Sequence, residues 1–215
     1  MNKITIIVII VLSIFIILNI KYINTTKSNI EILQVNNPNK DIYEKTVSQK
    51  SPSIFTNIIT SNIKNNILSL IKSSKTQELH LELSKYFDYY LIPMSIKNLY
   101  SIQTNNIVNL KQVGNFRFLI YQLSGESRII IFNPKNKSYL YPSKKNGETM
   151  SHVDFWNQDL KRYPNFSKAE YVEIILYPGQ LIYLPYKWWY CINSVPGSIR
   201  INSISDSLFS YFLRF

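Results

Sequence analysis

Tyr177-Pro-Gly-Gln-Leu-Ile-Tyr-Leu-Pro-Tyr-Lys-Trp-Trp-Tyr190 is the stretch whose reading decides the fold class. Pro178-Gly179 is a turn signal. Before it, Tyr171 to Leu176 is a β-branched and apolar run, and after it Gln180 to Leu184 resumes that pattern. Two such runs around a short turn predict an antiparallel pair. Pro185 has no amide hydrogen to give and ends the second strand, and Trp188 to Ile192 reads as the next one, with bulky side chains on alternate faces. Outward from here, short strands punctuated by turns recur from about Leu99 to the C-terminus. Such a series predicts a sandwich, barrel or jelly roll rather than a sheet alternating with helices.

The chain has 215 residues, 46% of them hydrophobic, enough for a membrane segment and one domain with a real core. Its formal charge of +11 comes from scattered lysines, which implies a solvated basic surface or attraction to anionic lipid headgroups or another acidic partner. No basic stripe interleaves with a nucleic-acid reading motif, so no nucleic-acid partner is expected. The lone Cys191 excludes an intrachain disulfide and every multi-cysteine zinc motif.

Between Lys3 and Lys21, the run Ile4 to Ile20 is interrupted only by Thr5, Ser13 and Asn19. As a helix it spans about 26 Å, close to the ~30 Å hydrocarbon core of a bilayer. It reads as a single-pass transmembrane anchor over 1–21. The rival reading, a cleaved signal peptide, wants a shorter apolar region and small residues at the cleavage site, and Asn19-Ile-Lys-Tyr-Ile23 offers none. Lysines flank both ends, so charge bias leaves the side of the domain open. Asn24, Asn136 and Asn165 begin glycosylation triplets, which an asparagine-rich chain also produces by chance. Residues 22–50, rich in Asn, Lys and Ser, read as a polar tether, and 51–215 as the domain. Within the domain, Ser51 to Phe55 reads as a short strand, and the apolar spacing from Ile58 to Ile71 predicts a packed helix.

Several separated motifs carry a resemblance. Ser151-His-Val-Asp-Phe-Trp-Asn-Gln-Asp-Leu-Lys-Arg-Tyr-Pro-Asn-Phe166, the Pro178-Gly179 turn, Trp188-Trp189, Tyr121-Gln-Leu-Ser-Gly125 and Arg128 to Pro134 stand in family order. Together they resemble the cupin-like JmjC proteins, and among them the asparaginyl hydroxylases that act on hypoxia-inducible factor. The resemblance covers about Leu99 to Asn202. It implies a mainly β double-stranded β-helix, with helical additions N-terminal to it, using Fe(II) and 2-oxoglutarate. In that family two histidines and a carboxylate hold the iron and leave positions open for cosubstrate and oxygen.

Carried onto this chain, the resemblance places the three metal ligands at Gln112, Gly114 and Tyr190, none of which matches. Its cosubstrate positions fall on Asn109, Ser127 and Asn202, of which only Asn202 matches. The expectation is therefore a catalytically inactive domain, without metal or cofactor, that binds or scaffolds a protein or peptide. The alternative is a divergent Fe(II)/2-oxoglutarate-dependent hydroxylase or demethylase with a relocated site, for which His152 and Asp154 have the right spelling but lie in a connection. A third reading is a plain ectodomain that packs against other membrane components. His80 reads as a half-exposed side chain in an alternating segment. Trp188, Trp189 and Tyr190 read as core filling, or as the walls of a pocket for an apolar or peptide ligand. Arg200 reads as a solvent-facing strand residue, or as the partner of an acid in that pocket.

Overall fold

In the computed structural model, residues 2–23, 31–58, 61–73, 75–87 and 95–207 are described. Two six-stranded sheets stack face to face. The first has the order β1 (Leu33–Asn36), β2 (Ser53–Thr56), β10 (Leu181–Pro185), β5 (Arg117–Ser124), β12 (Ile199–Ser207) and β3 (Ser95–Gln103). The second runs β7 (Pro142–Lys145), β8 (Glu148–Ser151), β4 (Ile107–Gln112), β11 (Trp189–Ser194), β6 (Ser127–Phe132) and β9 (Tyr171–Leu176). Four helices precede most of these strands: α1 (Lys3–Ile23), α2 (Lys40–Ser48), α3 (Ser61–Lys72) and α4 (Thr76–Phe87). The mainly β expectation with N-terminal helices holds, and the two sheets are consistent with a cupin jelly roll.

Strand periodicity sorts the apolar residues into three layers. Between the sheets, Phe118 and Ile120 of β5 and Ile182 and Leu184 of β10 meet Ile129 and Ile131 of β6 and Tyr190 and Ile192 of β11. On the back of the first sheet, Leu119, Tyr121 and Leu123 pack beneath Tyr43 and Val47 of α2, Ile67 of α3, and Leu79 and Leu83 of α4. The i, i+4 spacing of Tyr43/Val47 and Leu79/Leu83 puts each pair on one helix face. On the back of the second sheet, Phe132, Trp189 and Cys191 are covered by Phe155 and Phe166 from the 152–170 connection.

The predicted pairing of the runs around Pro178-Gly179 does not occur. β9 pairs with β6, whereas β10 pairs with β5 and β2 in the other sheet. The turn is a corner between sheets, tied to β5 by Gly179 N–H donating to the Gln122 carbonyl at 2.8 Å and Gln122 N–H donating to the Gln180 carbonyl at 2.9 Å. Gly179 sits at φ 90°, which a side chain would resist. A second glycine serves the β5–β6 turn: Gly125, at φ 68°, leaves no room for a Cβ against Ser198, so this turn packs directly on the β11–β12 turn.

The stretch read as polar tether carries two elements. β1 lies parallel to β2, joined through α2, whose N-terminus is capped by Asn39 accepting from Ile42 N–H at 2.8 Å. Hydrophobic periodicity misses α2 because the helix buries little beyond Tyr43, Thr46 and Val47. His80 lies on α4, not in an extended segment. α1 keeps apolar side chains from Ile4 to Ile17 exposed on every face. Side chains are described on it only to Ile17, and among the described residues no helix is long and apolar enough to cross a membrane.

Asn136 is buried, donating through its amide nitrogen to the Glu170 carbonyl at 3.1 Å and accepting from Glu170 N–H at 3.3 Å. It is not an accessible glycan acceptor. Asn165 is exposed, and Asn24 lies outside the described residues.

Candidate functional site

A cavity of about 450 Å³ opens at one end of the sandwich. That is within the ~300–1,000 Å³ usual for small-molecule sites. Its walls include Ser101 and Gln103 of β3, Lys111 and Gln112 at the end of β4, Tyr190 and Ile192 of β11, and Asn202 and Ile204 of β12. Gly114 and Asn115 of the β4–β5 loop, Tyr186, and the β7–β8 hairpin complete it. Strand alternation explains the convergence, since Tyr190/Ile192 and Asn202/Ile204 are i, i+2 pairs whose intervening residues point out of the sandwich.

The positions matched to the metal ligands thus line one cavity, together with Asn202. Gln112 donates its side-chain N–H to the Lys187 carbonyl at 3.1 Å, and the main chain beside it is locked by Val113 N–H donating to the Trp188 carbonyl at 2.7 Å. Lys187 holds φ at 67°, a strained value for a side-chain-bearing residue that lets its carbonyl reach Gln112. Gly114 has open space where a Cβ would stand. Tyr190 packs against Phe118, ring centroids 5.2 Å apart, and is 5% exposed. Burial pushes its phenol well above the usual range; the Glu148 charge adds to this and Arg200 opposes it.

These residues do not fit ferrous iron. One is a neutral amide, one has no side chain, and the third is a phenol held protonated by burial, so no anionic or imidazole ligand faces the cavity from them. Among the described residues no cluster of three His, Cys, Asp or Glu side chains could hold a metal. His152 and Asp154 are exposed just past β8 and do not line the cavity; Asp154 instead accepts from Trp156 N–H at 2.9 Å, capping a turn.

The other expected site residues lie elsewhere. Asn109 is exposed on β4. Ser127 is fully buried, its hydroxyl 2.7 Å from both Gln122 Oε1 and Ser194 Oγ. Trp188 is packed between the sheets and Trp189 on the back of the second one, so neither forms a pocket wall. Arg200 is 1% exposed rather than solvent-facing: it points between the sheets like Asn202, and its guanidinium donates to the Asn105 carbonyl. Desolvation lowers its pKa, with Tyr190 opposing. Lys111, Lys144 and Glu148 at the cavity mouth escaped the sequence reading, because the β7–β8 hairpin is brought over the cavity only by pairing of Met150 with Lys111. A Lys111–Glu148 ion pair at 3.1 Å reinforces that contact.

Residues 115–209 match the family of cupin-like domains. The chain is 35% identical over 89 residues to human HSPB1-associated protein 1, covering 40% of this chain and 18% of that protein. It is 32% identical over 82 residues to lysine-specific demethylase 8 of Danio rerio, covering 38% and 20%. It is also 32% identical over 84 residues to human tRNA wybutosine-synthesizing protein 5, covering 39% and 26%. The chain spans between about a fifth and a quarter of the length of these curated relatives. Residues 115–209 thus match a cupin-like domain, and the chain is similar over 82–89 residues to proteins that include a lysine-specific demethylase. Tyr190 and Asn202 lie inside the matched region of this cupin-like domain, and Gln112 and Gly114 lie just before it.

Proposed function

We propose that this chain is a membrane-anchored protein whose cupin-like domain binds or scaffolds a partner and does not perform iron-dependent oxidation. The observation that carries this reading is the set Gln112, Gly114 and Tyr190 in one cavity, with no group among them able to hold Fe(II). The motif order from about Leu99 to Asn202 supports a likeness to the asparaginyl hydroxylases in particular, with the iron ligands lost. Anchoring is supported by the exposed apolar surface of α1, which no other part of the described chain covers, and by the continuation of that run to Ile20 in the sequence. A protein partner is supported by the name of one relative, HSPB1-associated protein 1.

The test is iron uptake and 2-oxoglutarate turnover by the purified full chain. Neither is expected, whereas the triple substitution Gln112→His, Gly114→Asp, Tyr190→His should gain Fe(II) binding, since position 114 has room for a side chain. Stoichiometric iron in the unaltered protein, or oxoglutarate consumption, would refute the proposal. The name of a second relative, lysine-specific demethylase 8, favours a divergent oxygenase instead. That reading requires oxoglutarate turnover that disappears in His152→Ala or Asp154→Ala.

A further inference from the structure

The side-chain amides around the cavity are oriented in one sense. Gln103 donates through its nitrogen to Ser101 Oγ at 3.2 Å, Gln112 to the Lys187 carbonyl at 3.1 Å, and Asn115 to Asp206 Oδ2 at 3.1 Å. Among the described residues each donates its N–H to the protein and receives no hydrogen bond at its oxygen. Asn202 adds a buried Oδ1 that receives no hydrogen bond within the described residues. An acceptor taken out of water without a donor costs about 1–3 kcal/mol, so these oxygens ask for O–H or N–H groups from whatever fills the cavity.

Charge and polarity narrow the class of that occupant. A carboxylate would meet Lys144 at the mouth, Lys111 being paired to Glu148, but inside it would set its own oxygens against the amide oxygens of the wall. A cation would meet Lys111 and Lys144 at the mouth, with Glu148 already paired to Lys111 and Arg200 buried behind Tyr190. An apolar molecule would leave the amides unsatisfied, contrary to the sequence expectation of rings around an apolar ligand. A neutral molecule with several hydroxyls meets each requirement: its O–H groups donate to the amide oxygens, and its oxygens accept from Tyr190 and Ser101 hydroxyls. Tyr190 makes no hydrogen bond of its own among the described residues and keeps its proton, while Tyr186 supplies an aromatic wall for C–H faces.

From this pattern we infer that the cavity takes a neutral polyhydroxylated ligand of monosaccharide or cyclitol type. The inference rests on the reading of the domain as an iron-free binding module and names the ligand class of that same site.

The experiment uses the full chain in lipid nanodiscs, avoiding detergents with sugar headgroups. Glucose, mannose, N-acetylglucosamine and myo-inositol are screened by saturation-transfer NMR beside 2-oxoglutarate, succinate and butylamine. Binding of at least one polyol is expected, with none of the three comparators. Gln112→Met and Asn202→Leu should each weaken it about tenfold or more. Asn202 is tied into the central strands and its variant could unfold, but Gln112 sits half-buried at a strand end, and its variant keeps the test decisive. No polyol binding tighter than about 10 mM, or binding unchanged in a folded Gln112→Met protein, overturns the inference and leaves the iron-free reading standing. Binding of 2-oxoglutarate instead of any polyol overturns the inference, and only its turnover with iron sinks the proposed function as well.

Discussion

Tyr190 owes its chemistry to its place in the sandwich. Its place on the inner face of β11 follows from alternation, and its burial raises the phenol pKa above the ~10 of an exposed tyrosine. A folded-state pKa above the unfolded one means the folded protein keeps the proton longer. The resulting stability is complete below about pH 10 and is lost as pH rises from there toward the folded value. Tyr183, also raised by burial, and Tyr121, pushed up to about 12, act in the same direction. Tyr190→Phe should therefore flatten the fall of the thermal midpoint between about pH 10 and pH 11 without altering it near pH 7 by more than a few degrees. Parallel curves for the two proteins would show that the buried phenol does not control alkaline unfolding. At this scale the sequence was informative about identity and silent about surroundings: Gln112 and Gly114 could be read as poor ligands, but that Gln103, Asn115 and Asn202 line the same cavity could not.

Among the elements, β10 is the clearest case of a legible strand, a continuous apolar run from Leu181 to Pro185 that is buried on both faces. Its partner was not legible. A Pro-Gly turn between two strands serves a hairpin or a corner between sheets equally well, and the choice depends on β5, more than fifty residues earlier, whose Gln122 ties down Gly179 and Gln180. The helices show the same division. The spacing from Ile58 to Ile71 predicted a helix, found as α3, whereas α2 went unseen because it buries a short face of Tyr43, Thr46 and Val47. These helices seal the back of the first sheet, and Ile67 of α3 is fully buried there. Ile67→Ala should cost about 2–5 kcal/mol in chemical denaturation. A loss under ~1 kcal/mol would mean that the helical layer packs loosely on the sheet and contributes little to the fold.

For the whole molecule, the proposal of an anchor makes a physical demand on α1. Its apolar side chains from Ile4 to Ile17 are exposed, and water is a poor solvent for such a surface. The full chain should float with liposomes in a density gradient and resist carbonate extraction. Ile10→Lys together with Ile14→Lys should cost about 6–8 kcal/mol of insertion free energy and shift the protein to the extractable fraction. An unaltered chain that stays at the bottom of the gradient would remove the membrane from the proposal. The +11 charge would add attraction to anionic vesicles, recognisable because salt screens it while leaving hydrophobic insertion in place.

By itself the sequence determined that this is a mainly β chain with helices before its strands, and that Gln112, Gly114 and Tyr190 are groups ill-suited to ferrous iron. Those properties are local, written in periodicity, turn residues and the chemistry of single side chains. Only the tertiary structure decided which strands pair and that Trp188 and Trp189 fill the core while Arg200 turns inward. It also decided that a hairpin from residues 142–151 closes over the cavity. Such outcomes depend on contacts between segments far apart in the chain, where backbone pairing and burial are settled jointly and no short stretch carries the answer.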